Sequence, residues 1–510
     1  MLYSLLLVFL LPALGVPFVY FGGKKSSKLA AAIVALIALI NIALVLTTVP
    51  TILTSPERRY MEEYAWIPVL NSHFTLFVDG ISASIAIITL VLIVAAACFS
   101  VKYMEGKKNL PVYYVLLSLL SIGLVGVFIT SNLLLFYFCW ELMLLPAYFI
   151  IGSWGYREAY RAAFKFFIFT HAGAVFVLLG IGAIYMVTGA TDMFAAQTAL
   201  LSVPDLAKWI IIALTAGFAV KMAIVPLHMW LPDAHSEAPA TMSALLSGVI
   251  ISAGAYAILR LSLGAVFPAV AGTDFGVTFL HGLAVFGVIS AFFGAFIALV
   301  ETDIKRIIAY SSIAHMGYIL FGLSLYPSEP LVGGALALTT AITGTVFHIL
   351  THAVSKGLLF LSAGAVMHQT EQRDIREMGG LSGKMPFTTA SAVISGLSIA
   401  GSPPFACFIS EFLIFVGAFD IIRTNAFYLI PTVFMLIATV FSLAYSLRFV
   451  YRIFISAAKT EPAPSVDEKH KIVDVPNSMK LALLILVIFV VLLGVYPTFF
   501  INLINTVGFI

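Results

Sequence analysis

Apolar stretches long enough to cross a bilayer recur from one end of this chain to the other. A helix rises about 1.5 Å per residue, so about 20 apolar residues span the hydrocarbon layer. Fourteen spans fit the pattern, over residues 2–22, 28–49, 78–101, 111–129, 132–152, 163–187, 207–230, 239–262, 277–299, 304–325, 334–366, 386–417, 427–455 and 479–500. The pattern predicts an all-α polytopic membrane protein, multi-pass in the cell membrane, with the lipid bilayer as its main solvent. Two spans are interrupted. The seventh contains Pro226, and the twelfth contains Gly401, Ser402, Pro403 and Pro404. Proline removes a backbone hydrogen bond and clashes with the preceding turn. At membrane depth such breaks survive only beside protein or water.

The two broken spans hold matching places. The seventh is fourth in the block of spans four to eight, and the twelfth is fourth in the block of spans nine to thirteen. Five-span blocks joined head to tail lie in opposite orientation, the inverted repeat with paired broken helices of ion-coupled transporters. The expected division is residues 1–110 for three leading helices, 111–262 and 263–455 for the repeats, and 456–510 for a linker and last helix.

Lysine and arginine set the orientation. Loops after odd-numbered spans hold 20 of the 27 basic residues, and loops after even-numbered spans hold 5. The positive-inside rule then puts the odd loops in the cytoplasm and both termini outside. Lys305 and Arg306 count among the cytoplasmic-loop residues, and Arg260 among the others. The two basic residues left over, Lys221 and Lys356, sit deep in spans.

Composition agrees. The chain is 61% hydrophobic and 10% charged, with a mean hydropathy of +1.08, against about 25% charged in a soluble domain. The net charge of +3 points to no partner, and no basic patch with interleaved aromatics suggests nucleic acid. Cys98, Cys139 and Cys407 lie far apart in apolar runs and read as small core residues, with no metal-ligand spacing. No dinucleotide, nucleoside triphosphate or haem motif is present, so no cofactor is expected. Any redox chemistry would belong to another subunit. The first span lacks a basic leader and runs into a second helix, unlike a cleavable signal peptide.

Ionisable residues at mid-span carry the chemistry. A charge there costs at least about 2.5–3.5 kcal/mol on insertion scales. The candidates are Glu141, Lys221, His315, His348, His352, Lys356 and Glu411. A single buried Glu or His also serves packing, and a lysine can snorkel. The stretch "FHILTHAVSKGLLFL" is harder to explain that way. His348, His352 and Lys356 recur every four residues, on one helix face and about 6 Å apart. Histidine titrates near neutrality and has one donor and one acceptor nitrogen. A string of Glu, Lys and His is therefore suited to passing protons, and no Ser/His/Asp-type nucleophile stands beside it.

The stretches "NLLLFYFCWELMLLPAYFIIGSWG", "KMAIVPLHMWLPDAHSEAPATMSALLSG", "TDIKRIIAYSSIAHMGYI", "GLSIAGSPPFACFISEF" and "FVDGIS" resemble the antiporter-like subunit family. That family includes subunit M of respiratory complex I and the matching subunits of multisubunit Na⁺/H⁺ antiporters and of membrane-bound hydrogenases. The resemblance implies a fourteen-helix fold and a place beside other membrane subunits, some homologous and some small. It also implies peripheral iron–sulfur, nickel–iron or flavin subunits. Carried over by motif, Glu141 and Lys221 are the family's paired acid and lysine. His348, His352 and Lys356 form the central relay, and Glu411 is the exit residue of the complex I type. Ser252 stands where the family carries an eighth-helix lysine. Ordered water with the Ser252 hydroxyl, or His228, would fill that gap; alternatively the half-channel is weakened. The function implied is proton or Na⁺ translocation within a redox-driven complex. The alternatives are the matching subunit of a gradient-driven multisubunit cation/proton antiporter and a non-conducting scaffold.

Overall fold

A computed structural model describes residues 3–189, 191–328, 339–457 and 472–507 of the chain. Twelve of its helices are long and apolar enough to cross a membrane. These are α1 (Ser4–Lys25), α2 (Ser27–Thr54), α3 (Gly80–Tyr103), α4 (Leu110–Phe128), α5 (Leu133–Trp154), α6 (Ala159–Thr188), α8 (Ala240–Ala269), α9 (Asp274–Val300), α10 (Ile304–Ser324), α11 (Thr340–Thr370), α13 (Ala426–Ile455) and α14 (Asn477–Val495). The other two spans are each built from two pieces, α7a (Pro204–Met222) with α7b (Leu231–Glu237), and α12a (Pro386–Ile399) with α12b (Ala406–Ile422). The chain is thus an all-α polytopic membrane protein, and its described residues form twelve candidate spans and two helix pairs at the two expected breaks. The expected start of the eleventh span, at 334–338, lies outside the described residues.

Each break has a local cause. Ala223 adopts a left-handed conformation that ends α7a, and Pro226 cannot donate to a continuing helix. Pro232 falls in the first turn of α7b, where no donor is needed. In the twelfth span, Gly401 has φ +64°, and Pro403 and Pro404 lack backbone donors. α5 carries a smaller interruption at Met143. Pro146 follows three residues later and leaves the Leu142 carbonyl without its helical partner.

Two of the least hydrophobic spans lie deep in the bundle, beside the strongly apolar α3, which is 89% buried. α11 is buried along its whole apolar window with a hydropathy of 1.4, and α10 is 94% buried at the same hydropathy. α2 is 39% buried with a hydropathy of 2.9. Lipid-facing helices must be apolar all round, whereas interior helices can carry polar groups that find partners. The polar groups of α10 and α11 are therefore confined to the core. α8 is also wholly buried and winds as a π-helix over Leu246–Ile250 and Ile258–Val266.

One element was not legible in the hydropathy. Between α2 and α3 the chain forms an antiparallel hairpin, β1 (Arg59–Ile67) with β2 (Ser72–Asp79). The third span therefore begins at Gly80 rather than 78. Asp79 caps it, accepting from the Ser82 N–H at 2.9 Å. In β1, alternate residues Tyr60, Glu62 and Tyr64 cooperate. The Glu62 carboxylate accepts from the N–H groups of Leu5 and Leu6 and from both tyrosine hydroxyls, each at 2.9 Å. It therefore caps the N-terminus of α1, where an anion is favoured.

Candidate functional site

The core helices assemble a line of polar groups. His348, His352 and Lys356 on α11 are fully buried, as are His315 and Ser311 on α10. His315 Nδ1 lies 3.2 Å from His348 Nε2, and His315 Nε2 lies 3.2 Å from the Tyr445 hydroxyl of α13. His348 Nδ1 continues to Ser410 Oγ on α12b at 2.9 Å. About two turns down α11 from His348, Lys356 donates to the Ser311 hydroxyl. His352 stands between these two contacts, its ring 5.6 Å from that of His315. Neither of its nitrogens has a hydrogen-bond partner among the described residues.

The direction of these bonds follows from one end. Ser410 donates to the Cys407 carbonyl at 2.9 Å, so its oxygen is left to accept from His348 Nδ1–H. Neutral His348 then offers a lone pair at Nε2. His315 then donates to it from Nδ1, and its Nε2 meets the Tyr445 hydroxyl, which also donates to Ser442 Oγ at 3.2 Å. The chain of bonds is polarised, and passing one proton along it reverses every member.

Glu411 joins this line. Donor atoms of His315, His348 and Glu411 lie within 4.8 Å of one another. Both nitrogens of each histidine are engaged in hydrogen bonds. A Cβ on Gly401 would stand 2.4 Å from Glu411 Oε2. The break in the twelfth span therefore makes room for the carboxylate, and Glu411 Oε1 is buried without a partner among the described residues.

The first-repeat residues are arranged differently. Lys221 is buried, donates to the Trp140 carbonyl at 3.1 Å and lies 4.1 Å over the Trp140 ring. Glu141 Oε2 lies 3.3 Å from His171 Nδ1 on α6, and Oε1 is buried without a hydrogen-bond partner among the described residues, with Lys221 within electrostatic range. No ion pair joins Glu141 to Lys221, so the expected pair is open here, each partner held by another group. His171 is half exposed.

The expected bridge between Lys221 and α11 is not closed by hydrogen bonds. Ser252 is buried with its hydroxyl unpartnered among the described residues. His228 lies in the break between α7a and α7b, half-buried, with its ring 4.7 Å from Phe293 of α9. Its Nδ1 is buried without a hydrogen-bond partner among the described residues. The cross-link nearby is Ser247 to Ser312, from α8 to α10, at 2.8 Å.

Two residues missed in the sequence sit at the other end of the line. His235 on α7b is fully buried and stacked 4.8 Å from Phe360 of α11. Lys305, counted above as a loop residue, is fully buried and donates to the carbonyls of Ala238 and, at 3.5 Å, Ser236. Arg260 is likewise buried at the end of α8, paired with Asp79. The positive-inside count sees only position along the chain, so it placed Lys305 and Arg260 with surface charges. His235 lies within the stretch "HSEAPATMSALLSG", which was the available signal.

Around Lys305 the odd-numbered loops form an ion-pair belt. Arg373 holds Glu237 at 3.1 Å and Asp303 at 2.8 Å. Asp233 takes Lys165 at 2.7 Å and Arg306 at 3.1 Å. Arg306 also reaches Glu301 at 3.2 Å. Burial pushes the Glu301 carboxyl up, but the N–H groups of Thr302 and Asp303 and the Arg306 guanidinium outweigh it and hold it below the usual carboxylate range.

Twelve candidate spans, two broken helix pairs and a buried acid–amine–imidazole string define an ion-translocating membrane subunit of the antiporter-like class. Known proteins place it further. The family described as NADH:quinone oxidoreductase/Mrp antiporter, transmembrane region, matches residues 130–442, and the chain belongs to that family. NADH-quinone oxidoreductase subunit M of Pseudomonas aeruginosa is 33% identical over 457 residues, 87% of this chain and 82% of that protein. F420H2 dehydrogenase subunit M of Methanosarcina mazei is 32% identical over 369 residues, 71% of each chain. Among solved structures, a chain of an archaeal membrane-bound sulfane sulfur reductase superposes with a TM-score of 0.82 at 26% identity, over 98% of this chain and 77% of that one.

Proposed function

We propose that this chain moves protons, with Na⁺ as the alternative ion, across the membrane as one subunit of a redox-driven complex. The observation that carries this reading is the unbroken series Tyr445, His315, His348, Ser410, with Glu411 beside it. Every member is buried, and lipid-depth imidazoles and carboxylates are retained where they serve a path. Opening and closing of a Glu141–Lys221 pair would drive the string. Lys221, released from the Trp140 carbonyl, would swing toward Glu141 and change the field felt by α11.

The redox reaction would take place in peripheral iron–sulfur, nickel–iron or flavin subunits, and both termini would face outside. The relatives support a redox partner, being subunits of NADH-quinone oxidoreductase and F420H2 dehydrogenase. The family description also names the Mrp antiporter, so a gradient-driven exchanger is the second reading. Purification of the intact complex separates the two. Copurifying iron–sulfur subunits support the first, and small membrane subunits alone support the second. Within the purified complex, Glu411→Gln should stop proton pumping into vesicles while electron transfer to an artificial acceptor continues. Pumping at the wild-type rate in that variant would remove the role.

A further inference from the structure

α7b is seven residues long, and its two sides differ. Asp233 and Glu237 are four apart and share a face, which meets Lys165, Arg306 and Arg373. His235, about 200° around the helix, points into the bundle and is fully buried. On the outer side lies a cavity of about 400 Å³ lined by Glu158, Arg161, Lys165, Asp233, Ser236 and Arg306, with Ala162 in its wall. On the inner side lies Lys305. Its amino group reaches the Ser236 carbonyl, so it sits one backbone group behind the cavity wall.

Lys305 is unusual among the basic residues of this belt. It makes no ion pair among the described residues, and only carbonyl oxygens accept from it. Its amino group is also within electrostatic range of Asp303 and Glu237, which Arg373 holds in ion pairs. His235 has both ring nitrogens unpartnered among the described residues. It is within electrostatic range of both Lys305 and Lys356, and His352 is within range of His235. His235, Lys356 and His352 therefore lie between Lys305, which sits behind the Ser236 backbone of the cavity wall, and the string already described. This route touches neither Lys221 nor Ser252.

We propose that Lys305 is the proton inlet of the second-repeat string, taking protons from the cavity beside α7b and passing them to His235. The inference rests on the translocation reading above. A hydronium ion in the cavity gives its proton to the neutral Lys305 amine, and water remains. The ammonium then gives a proton to a ring nitrogen of His235 and returns to the amine. His235 passes the proton to the neutral Lys356 amine or to His352. The second repeat is thereby loaded without the cation that Ser252 lacks.

Three substitutions test this in the purified complex, reconstituted in vesicles and supplied with its electron donor. Lys305→Met should lower the initial rate of proton pumping about 100-fold, a size typical of a lost acid–base group. Lys305→Arg keeps the charge and the carbonyl bonds but cannot release a proton, and should be as impaired. Lys305→His should restore part of the rate. A purely structural cation would give the reverse order, so rescue by arginine overturns the proposal. So does wild-type pumping in Lys305→Met. If these variants fail to assemble, Ala162→Cys decides. A negatively charged methanethiosulfonate, applied from the odd-loop side, should stop its pumping and spare the wild type. Full pumping by protein shown by mass to be labelled overturns the proposal. Loss of pumping in Glu411→Gln alongside active Lys305 variants removes this inlet and leaves the translocation reading standing.

Discussion

His315 Nδ1 stands 3.2 Å from His348 Nε2, their rings 5.4 Å apart and 9° from parallel. One proton must lie between those nitrogens, because two lone pairs or two N–H groups would repel at that distance. The two imidazoles, on α10 and α11, are therefore coupled. A proton added to one changes what the other must do.

Serial members of one path fail together, because either loss blocks it. His315→Leu and His348→Leu should each reduce pumping by about 10-fold or more, within the range of a lost acid–base group. The double variant should be no slower than the worse single. Pumping measured with a pH-sensitive dye in vesicles checks this; multiplied losses in the double variant would show two separate routes.

Lys221 has its own consequence. It is buried, with the Trp140 carbonyl and ring as its neighbours rather than Glu141. Lys221→Ala should abolish pumping while the complex assembles and electrons still reach artificial acceptors. The check is pumping and electron transfer measured on one preparation. Unchanged pumping would remove the lysine from the mechanism.

Arg260 and Asp79 test the scaffold apart from transport. Both are buried, and Arg260 donates to both Asp79 oxygens. Removing one partner strands the other, at a cost of about 3–5 kcal/mol. Arg260→Met should lower the thermal melting midpoint clearly, and adding Asp79→Asn should recover much of the loss. A double variant as unstable as Arg260→Met alone would show that the arginine acts through other contacts.

Glu62 gives a local prediction. Its carboxylate caps α1 through the Leu5 and Leu6 amides. Glu62→Ala should destabilise that end by about 1–2 kcal/mol, the range for a lost cap. Hydrogen exchange at residues 5 and 6 should rise by about tenfold for each 1.4 kcal/mol, with α11 unaffected.

The span pattern, both helix breaks and the buried α11 triplet were legible because each is a local property. Apolar length dictates a membrane helix, proline denies a donor, and i, i+4 spacing puts side chains on one face. The same logic missed β1 and β2, whose alternation is brief and lies between two strong helical signals. It also misplaced Lys305, since position beside a loop says nothing of what folds over it. α7b, packed across the start of α10, and the Tyr156 ring, 5.2 Å from its amino group, cover that lysine.

The sequence by itself determined that this chain crosses the membrane many times and carries ionisable groups at depth. Hydrophobic length and helical period are set by neighbours along the chain. Tertiary structure alone decided which of those groups meet. Glu141 bonds to His171 rather than to Lys221, Glu411 folds back against Gly401, and Lys305 lies under α7b beside His235. The physical reason is that hydrogen bonds within about 3 Å join helices far apart in sequence. No periodicity records the packing that brings them together.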